Sequence, residues 1–112
     1  MAVLNIVTNI KEDGNNITAK VCGEIDAYTA PKLREAFRPY SDKKHIKIIV
    51  DLSEVSYMDS TGLGVFVGLF KSTRANDSSL YLNGLSARLQ RLFDITGLAD
   101  IMEVNKEVEG GV

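Results

Sequence analysis

The chain is poor in the residues on which most protein chemistry is built. Its 112 residues include one cysteine and one histidine. Cys22 alone cannot close an internal disulfide, and no Cys or His stands near it at ligand spacing. A disulfide-stapled secreted fold and a zinc site are both excluded, and Cys22 is expected to be a core residue. His45 stands at the start of a predicted strand with no partner placed to orient it, so it supports no Ser–His or Cys–His pair. There is no long uncharged apolar run, hence no predicted membrane span. The first residues, MAVLNIVTNIKEDG, lack the basic start and long apolar stretch of a signal peptide. Neither charge sign dominates: 13 Lys and Arg stand against 15 Asp and Glu, spread along the chain. Without a basic stripe, direct nucleic-acid binding is not expected. A reducing cytoplasm is the expected compartment.

What remains is an ordinary globular composition, 45% apolar and 25% charged, long enough for one domain with its own core. Val3 to Ile10 alternates as a strand, with Leu4, Ile6 and Ile10 on one face. Turn residues Lys11 to Asn16 follow, and Ile17, Ala19 and Val21 then alternate with Thr18, Lys20 and Cys22. Together they predict an antiparallel hairpin. Gly23-Glu24-Ile25-Asp26 leaves that strand for a helix opening at Thr29-Ala30-Pro31, a hydroxyl cap with an early proline. Leu33, Ala36, Phe37 and Tyr40 keep its spacing. His45 to Leu52 holds Ile48-Ile49-Val50, a β-branched run that predicts a strand covered on both faces. A short link leads to a helix from near Ser60 to about Arg74. Leu80 to Leu82 is a short strand. Ser86 caps a helix carrying Leu89, Leu92 and Phe93, which Gly97 ends. Ile101 to Val104 is a last strand, and residues 105–112 read as a flexible tail. The order β-β-α-β-α-β-α-β implies an α/β fold with a partly parallel sheet, covered by helices and opened by one hairpin.

The segment Ser56-Tyr57-Met58-Asp59-Ser60-Thr61-Gly62-Leu63-Gly64-Val65-Phe66-Val67-Gly68 is the least ordinary stretch. A hydroxyl at Ser60 can accept from free N–H groups of a first helical turn, with Asp59 and Thr61 as competing caps. Thr61 is expected to be structural, hydrogen-bonding locally. Ser60, Gly64 and Gly68 fall on one stripe at four-residue spacing. Two glycines inside a helix cost about 1 kcal/mol each relative to alanine. Either the stripe packs tightly on a neighbour, or it forms a flat exposed face that a partner's backbone can approach. A helix N-terminus also tolerates a phosphate. Phosphate on Ser60 would add about −1.5 to −2 charges beside Asp59, in the region of Glu24 and Asp26. A surface switch is the natural reading.

No active site assembles from these residues. A nucleophile elbow needs G-x-S-x-G, and Met58 occupies the first glycine position. Asp26, Asp51 and Asp59 are of the type that holds Mg²⁺, but such sites are completed by substrate phosphates, and no G-x-x-x-x-G-K-[ST] loop is present. No metal and no cofactor are expected.

Tyr57-Met58-Asp59-Ser60-Thr61-Gly62-Leu63-Gly64 resembles the signature of bacterial anti-sigma factor antagonists, the small single-domain STAS proteins. Gly23-Glu24-Ile25-Asp26-Ala27-Tyr28-Thr29-Ala30-Pro31, Val50-Asp51-Leu52 and Arg91-Leu92-Phe93-Asp94-Ile95-Thr96-Gly97-Leu98 agree with that family in order and spacing. The Ser-Thr pair, Tyr28 to Pro31 and Val65 to Gly68 lean towards the general-stress, RsbV-like branch, which acts on sigma-B. The resemblance implies one STAS domain over residues 1–104, with a mixed four- to five-stranded sheet. It implies a regulator, not an enzyme. Unphosphorylated, such a protein binds an anti-sigma factor that is also a serine kinase (RsbW-like) and so frees the sigma factor. The kinase phosphorylates the serine after the Asp, which maps to Ser60, and a PP2C-type serine phosphatase reverses this. Carried across residue by residue, Asp59 positions Ser60, Thr61 and Gly62 hold the loop, and Glu24, Asp26 and Tyr28 frame the docking face, with Gly64 keeping it low. The alternatives are a nucleotide-binding protein, which calorimetry with a nucleotide would reveal, and a sensory STAS module of a larger assembly.

Overall fold

The structure, a computed structural model, describes residues 6–106. The hairpin pairs β1 (Ile6–Asp13) with β2 (Asn16–Ile25). Both strands run further into the turn than the sequence suggests, because only Gly14 and Asn15 make the reversal. Gly14 has φ +59 and Asn15 does not share that sign, the pattern of a type II′ turn with glycine at its first central position. Of the predicted face of β1, Ile6 is buried and Ile10 half-buried; Val3 and Leu4 lie outside the described residues.

From β2 the chain winds in one direction. Helix α1 (Ala30–Ser41) leads to β3 (Lys47–Met58), α2 (Ser60–Ala75) to β4 (Ser79–Leu85), and α3 (Ala87–Ile95) with a 3₁₀ turn (Leu98–Asp100) to β5 (Glu103–Lys106). The sheet order is β1-β2-β3-β4-β5, with β2 to β5 parallel. Right-handed crossovers that each step to the next strand on the same side must leave all their helices on one face. The burial agrees. Ile17, Ala19, Ile48, Val50, Leu80 and Leu82 share register positions and are buried with Phe66 and Phe93 in one core.

The other face of the sheet is open. Thr18, Ile49 and Tyr81 are register neighbours on it, and Ile49 and Tyr81 are only half-buried. The reading of Ile48-Ile49-Val50 as covered on both faces is thus corrected: the β-branched run reflects strand propensity, not two-sided burial. Cys22 is likewise half-buried rather than a core residue.

β3 outruns its sequence reading by six residues, to Met58 rather than Leu52. Its buried residues after Leu52 are Val55 and Met58, three apart, so the alternation that marks a strand is lost. The reason is irregular pairing: β2 and β3 stay hydrogen-bonded through two register shifts, with Gly23 at φ +115, to Ile25↔Met58. β2 accordingly continues through the stretch read as leaving the strand. Pairing with β4 ends earlier, at Asp51↔Asn83, so the end of β3 projects past β4. At the far end, β5 starts two residues later than the predicted Ile101 and runs to Lys106. The tail residues 107–112 lie outside the described residues.

Candidate functional site

Two loops meet where β2 and β3 end together. Register pairs Glu24↔Tyr57 and Ile25↔Met58 place the β2–α1 loop directly beside the β3–α2 junction. The Asp59 N–H donates to the Ile25 carbonyl at 3.2 Å, tying the two loops at the base.

Each loop opens its helix on an aspartate. In the first, Asp26 Oδ1 accepts from the N–H groups of Tyr28 (2.9 Å) and Thr29 (3.0 Å). Thr29 is buried, and its hydroxyl donates to the Glu24 carbonyl at 2.8 Å and accepts from the Asp26 N–H at 2.9 Å. The side-chain cap of α1 that the sequence placed at Thr29 is thus corrected: Thr29 makes none. Its backbone is already helical (φ −94, ψ −22), which is the wrong geometry for a capping side chain. The loop is closed by these hydrogen bonds, and it leaves Tyr28 77% exposed.

In the second loop, Asp59 is the N-cap of α2. Its backbone is extended (φ −108, ψ −173), and Oδ1 accepts from Thr61 N–H at 2.9 Å and Gly62 N–H at 3.0 Å. The predicted cap at Ser60 is therefore corrected. The cap is the last residue outside the helix, and the Asp59–Ile25 hydrogen bond holds Asp59 there. A carboxylate also suits the positive end of the helix better than a hydroxyl. Ser60 becomes the first helical residue. It is exposed, and its hydroxyl makes no hydrogen bond among the described residues. Thr61 is exposed too, and the expected local bond of its hydroxyl is absent among the described residues; only its N–H is engaged.

The glycines separate into two kinds. A Cβ on Gly62 would stand 2.5 Å from Ile25 Cγ2 and 2.6 Å from the Ile25 carbonyl oxygen. Only glycine lets α2 start this close to β2. Gly64 and Gly68 have nothing within 4 Å of such a Cβ. Of the two readings left open for the stripe, the structure selects the flat exposed face. The other side of the helix, Leu63, Phe66 and Leu69, is buried in the core.

The sequence-predicted residues Glu24, Asp26, Tyr28, Asp59, Ser60, Thr61, Gly62 and Gly64 thus lie on two adjoining loops and the first turns of α2. Two of them, Asp26 and Gly62, first of all build the loops. One residue without a predicted role joins them: Tyr57 is 42% exposed beside Glu24. Its signal in the sequence was an aromatic in a stretch that had lost strand alternation. No group of three or more His, Cys, Asp or Glu among the described residues could hold a metal ion. No described helix is long and apolar enough to cross a membrane.

Residues 8–111 match the model of the STAS domain. The chain is 61% identical over 108 residues to the anti-sigma-B factor antagonist of Listeria monocytogenes, covering 96% of this chain and 94% of that one. It is 50% identical over 109 residues to the anti-sigma-B factor antagonist of Bacillus subtilis, covering 97% and 99%. In fold it is similar to the Bacillus cell fate determinant SpoIIAA in the phosphorylated form, with a TM-score of 0.70 at 20% identity over 90% of this chain and 93% of that one.

Proposed function

The chain belongs to the STAS-domain family, and on that premise we propose that it is an anti-sigma factor antagonist of the sigma-B type, switched by phosphorylation of Ser60. Unphosphorylated, it binds an anti-sigma factor that is also a serine kinase and so releases the sigma factor for stress-response transcription in the cytoplasm. The kinase then transfers a phosphoryl group. The Ser60 Oγ–P bond forms as the bond to ADP breaks, and the hydroxyl proton passes to a base on the kinase. A PP2C-type phosphatase hydrolyses the ester and restores the antagonist.

One observation carries this reading: Ser60 is exposed at the mouth of α2 while the cap is made by Asp59. Because the hydroxyl holds nothing in place, adding a phosphate costs the fold no cap. Asp59 already engages the Thr61 and Gly62 N–H groups, so what favours the charge is the helix dipole, by about 0.3–1 kcal/mol. The same charge, about −1.5 to −2, falls on the surface between the Tyr28 loop and the open Gly64–Gly68 face. A partner that accepts a low surface with an uncharged hydroxyl at Ser60 meets a bulky dianion instead. Like charges or buried polar groups without partners at an interface cost several kcal/mol, enough to end binding.

The test is intact-mass spectrometry after incubation with ATP and the co-encoded anti-sigma kinase, with Ser60→Ala and Thr61→Ala beside the wild type. One added phosphate, lost only in Ser60→Ala, is expected. No mass shift, with the kinase active on another substrate, would withdraw the switch. Ser60→Asp is expected to keep the wild-type circular dichroism and lose kinase binding.

A further inference from the structure

The strand β4 carries an interruption that neither the core nor the switch explains. Of the seven asparagines in the chain, Asn83 alone precedes a glycine, and the pair falls inside a strand. Gly84 has φ +76, so the backbone leaves the regular strand path there. Pairing with β3 ends at Asp51↔Asn83, and pairing with β5 skips from Leu82 to Leu85. Gly84 therefore has no register partner in either neighbouring strand, as in a bulge. Both residues are half-buried, and Asn83 stands beside Asp51 on the face of the sheet that no helix covers. The Asn83 side-chain carbonyl oxygen accepts from Asn105 Nδ2 at 2.7 Å. A Cβ at position 84 would stand 3.0 Å from Asp51 Oδ1, so closeness and positive φ together keep this position glycine.

We propose that Asn83–Gly84 is a site of spontaneous deamidation in the folded protein, an ageing mark set where β4 separates from its neighbours. The Gly84 backbone nitrogen attacks the Asn83 side-chain carbonyl carbon. The N–Cγ bond forms as the Cγ–NH2 bond breaks, and the proton from the Gly84 nitrogen leaves with the amide group as ammonia. The product is a five-membered cyclic imide. Water then opens it, at Cγ to give aspartate or at the main-chain carbonyl to give isoaspartate. Each feature favours one part of this reaction. An attacking nitrogen with no side chain beside it and no register partner is free to turn towards the amide. The Asn105 hydrogen bond lies on the oxygen where negative charge gathers during the attack. The uncovered face admits the water. Asn76 lacks these features: its side-chain amide nitrogen donates to the Ser41 and Ser72 carbonyls, both at 2.9 Å, and Asp77 follows it. The aspartate product puts a second carboxylate opposite Asp51, at the last register pair between β3 and β4. Like charges facing across strands destabilise the pairing.

The experiment keeps the purified full chain for days at neutral and at mildly alkaline pH, beside Asn83→Gln, Asn83→Asp and wild type unfolded in guanidinium chloride. Trypsin releases residues 75–88 as one peptide, so fragment spectra compare Asn83 with Asn76 directly. The mass gain of an amide-to-acid exchange is expected at Asn83, split between aspartate and isoaspartate. It should run faster at the higher pH and at least tenfold faster than at Asn76, and the folded rate should lie within tenfold of the unfolded one. Aged wild type and fresh Asn83→Asp should both unfold at a lower urea midpoint. Asn83→Gln, whose amide would have to close a larger ring, should keep its own midpoint with time. Asn83 intact, or exchanging no faster than Asn76, would overturn the proposal. Exchange that folding slows by more than tenfold would also overturn it, because the strand would then protect the pair.

Discussion

Replacing Gly62 by alanine tests the geometry that brings the two loops together. The new Cβ would meet Ile25 Cγ2 at 2.5 Å and the Ile25 carbonyl oxygen at 2.6 Å, where ordinary contact begins at 3.4 Å. Something must therefore yield by about 1 Å, a shift of the kind that overpacking imposes. Ile25 cannot swing clear. Its side chain is fully buried and β-branched, and its carbonyl accepts the Asp59 N–H. The helix start has to retreat instead, straining that hydrogen bond and the Asp59 cap. Overpacking of this sort costs about 1–3 kcal/mol, and the helix preference of alanine over glycine returns at most about 1 kcal/mol. Because the clash is with the Ile25 backbone as well as its side chain, the cost lies in the upper half of that range and the net expectation is a loss of about 1–2 kcal/mol. Urea unfolding followed by circular dichroism reads it as a lower midpoint at unchanged slope. Gly64→Ala and Gly68→Ala are the internal contrast. Both positions are open, so each should gain up to about 1 kcal/mol while binding the kinase less tightly, because the added methyls rise from the docking face. Gly62→Ala as stable as wild type would refute the close approach, and a loss of stability in Gly64→Ala or Gly68→Ala would refute the open face.

Asp59→Ala removes the acceptor of two N–H groups and should cost about 1–2 kcal/mol of stability, whereas Ser60→Ala should cost almost nothing; equal losses in urea unfolding would return the cap to Ser60. Asp51 provides a pH dependence. Partial burial pushes its carboxyl up, but hydrogen bonds from Ser53 and the nearby Lys20 outweigh this and hold it below the usual carboxylate range. A folded-state value below the unfolded one adds stability at neutral pH that is lost as pH falls below about 4. Asp51→Asn should therefore flatten the acid limb of a stability–pH curve, and an unchanged limb would show that Asp51 takes no part in it.

The identity of nearly every element follows from local pattern. The hairpin was legible because Ile17, Ala19 and Val21 alternate strictly beyond a Gly-Asn turn, and α1 because Leu33 and Phe37 keep helical spacing behind Pro31. Where the reading fell short, the backbone departs from its ideal period. The end of β3 reads as a link because bulged pairing with β2 replaces alternation by a spacing of three. The motif Asp59-Ser60-Thr61-Gly62 was legible as a helix mouth, but three of its residues can cap, and the modest advantage of a carboxylate at the positive helix end does not by itself choose among them.

By itself, then, the sequence determined that this is one α/β domain, that a helix opens at Asp59-Ser60-Thr61-Gly62, and which sides of its helices are apolar, since these depend on each residue's neighbours in the chain. Tertiary structure decided the rest. Strand order depends on which edges pair, and only the order β1 to β5 puts every right-handed crossover, and so every helix, on one face and leaves the other open. The contact of Ile25 with Asp59 and Gly62 spans more than thirty residues of chain. That contact, not the preference of any one residue, makes Asp59 the cap, reserves Gly62 for a close approach and leaves the Ser60 hydroxyl exposed.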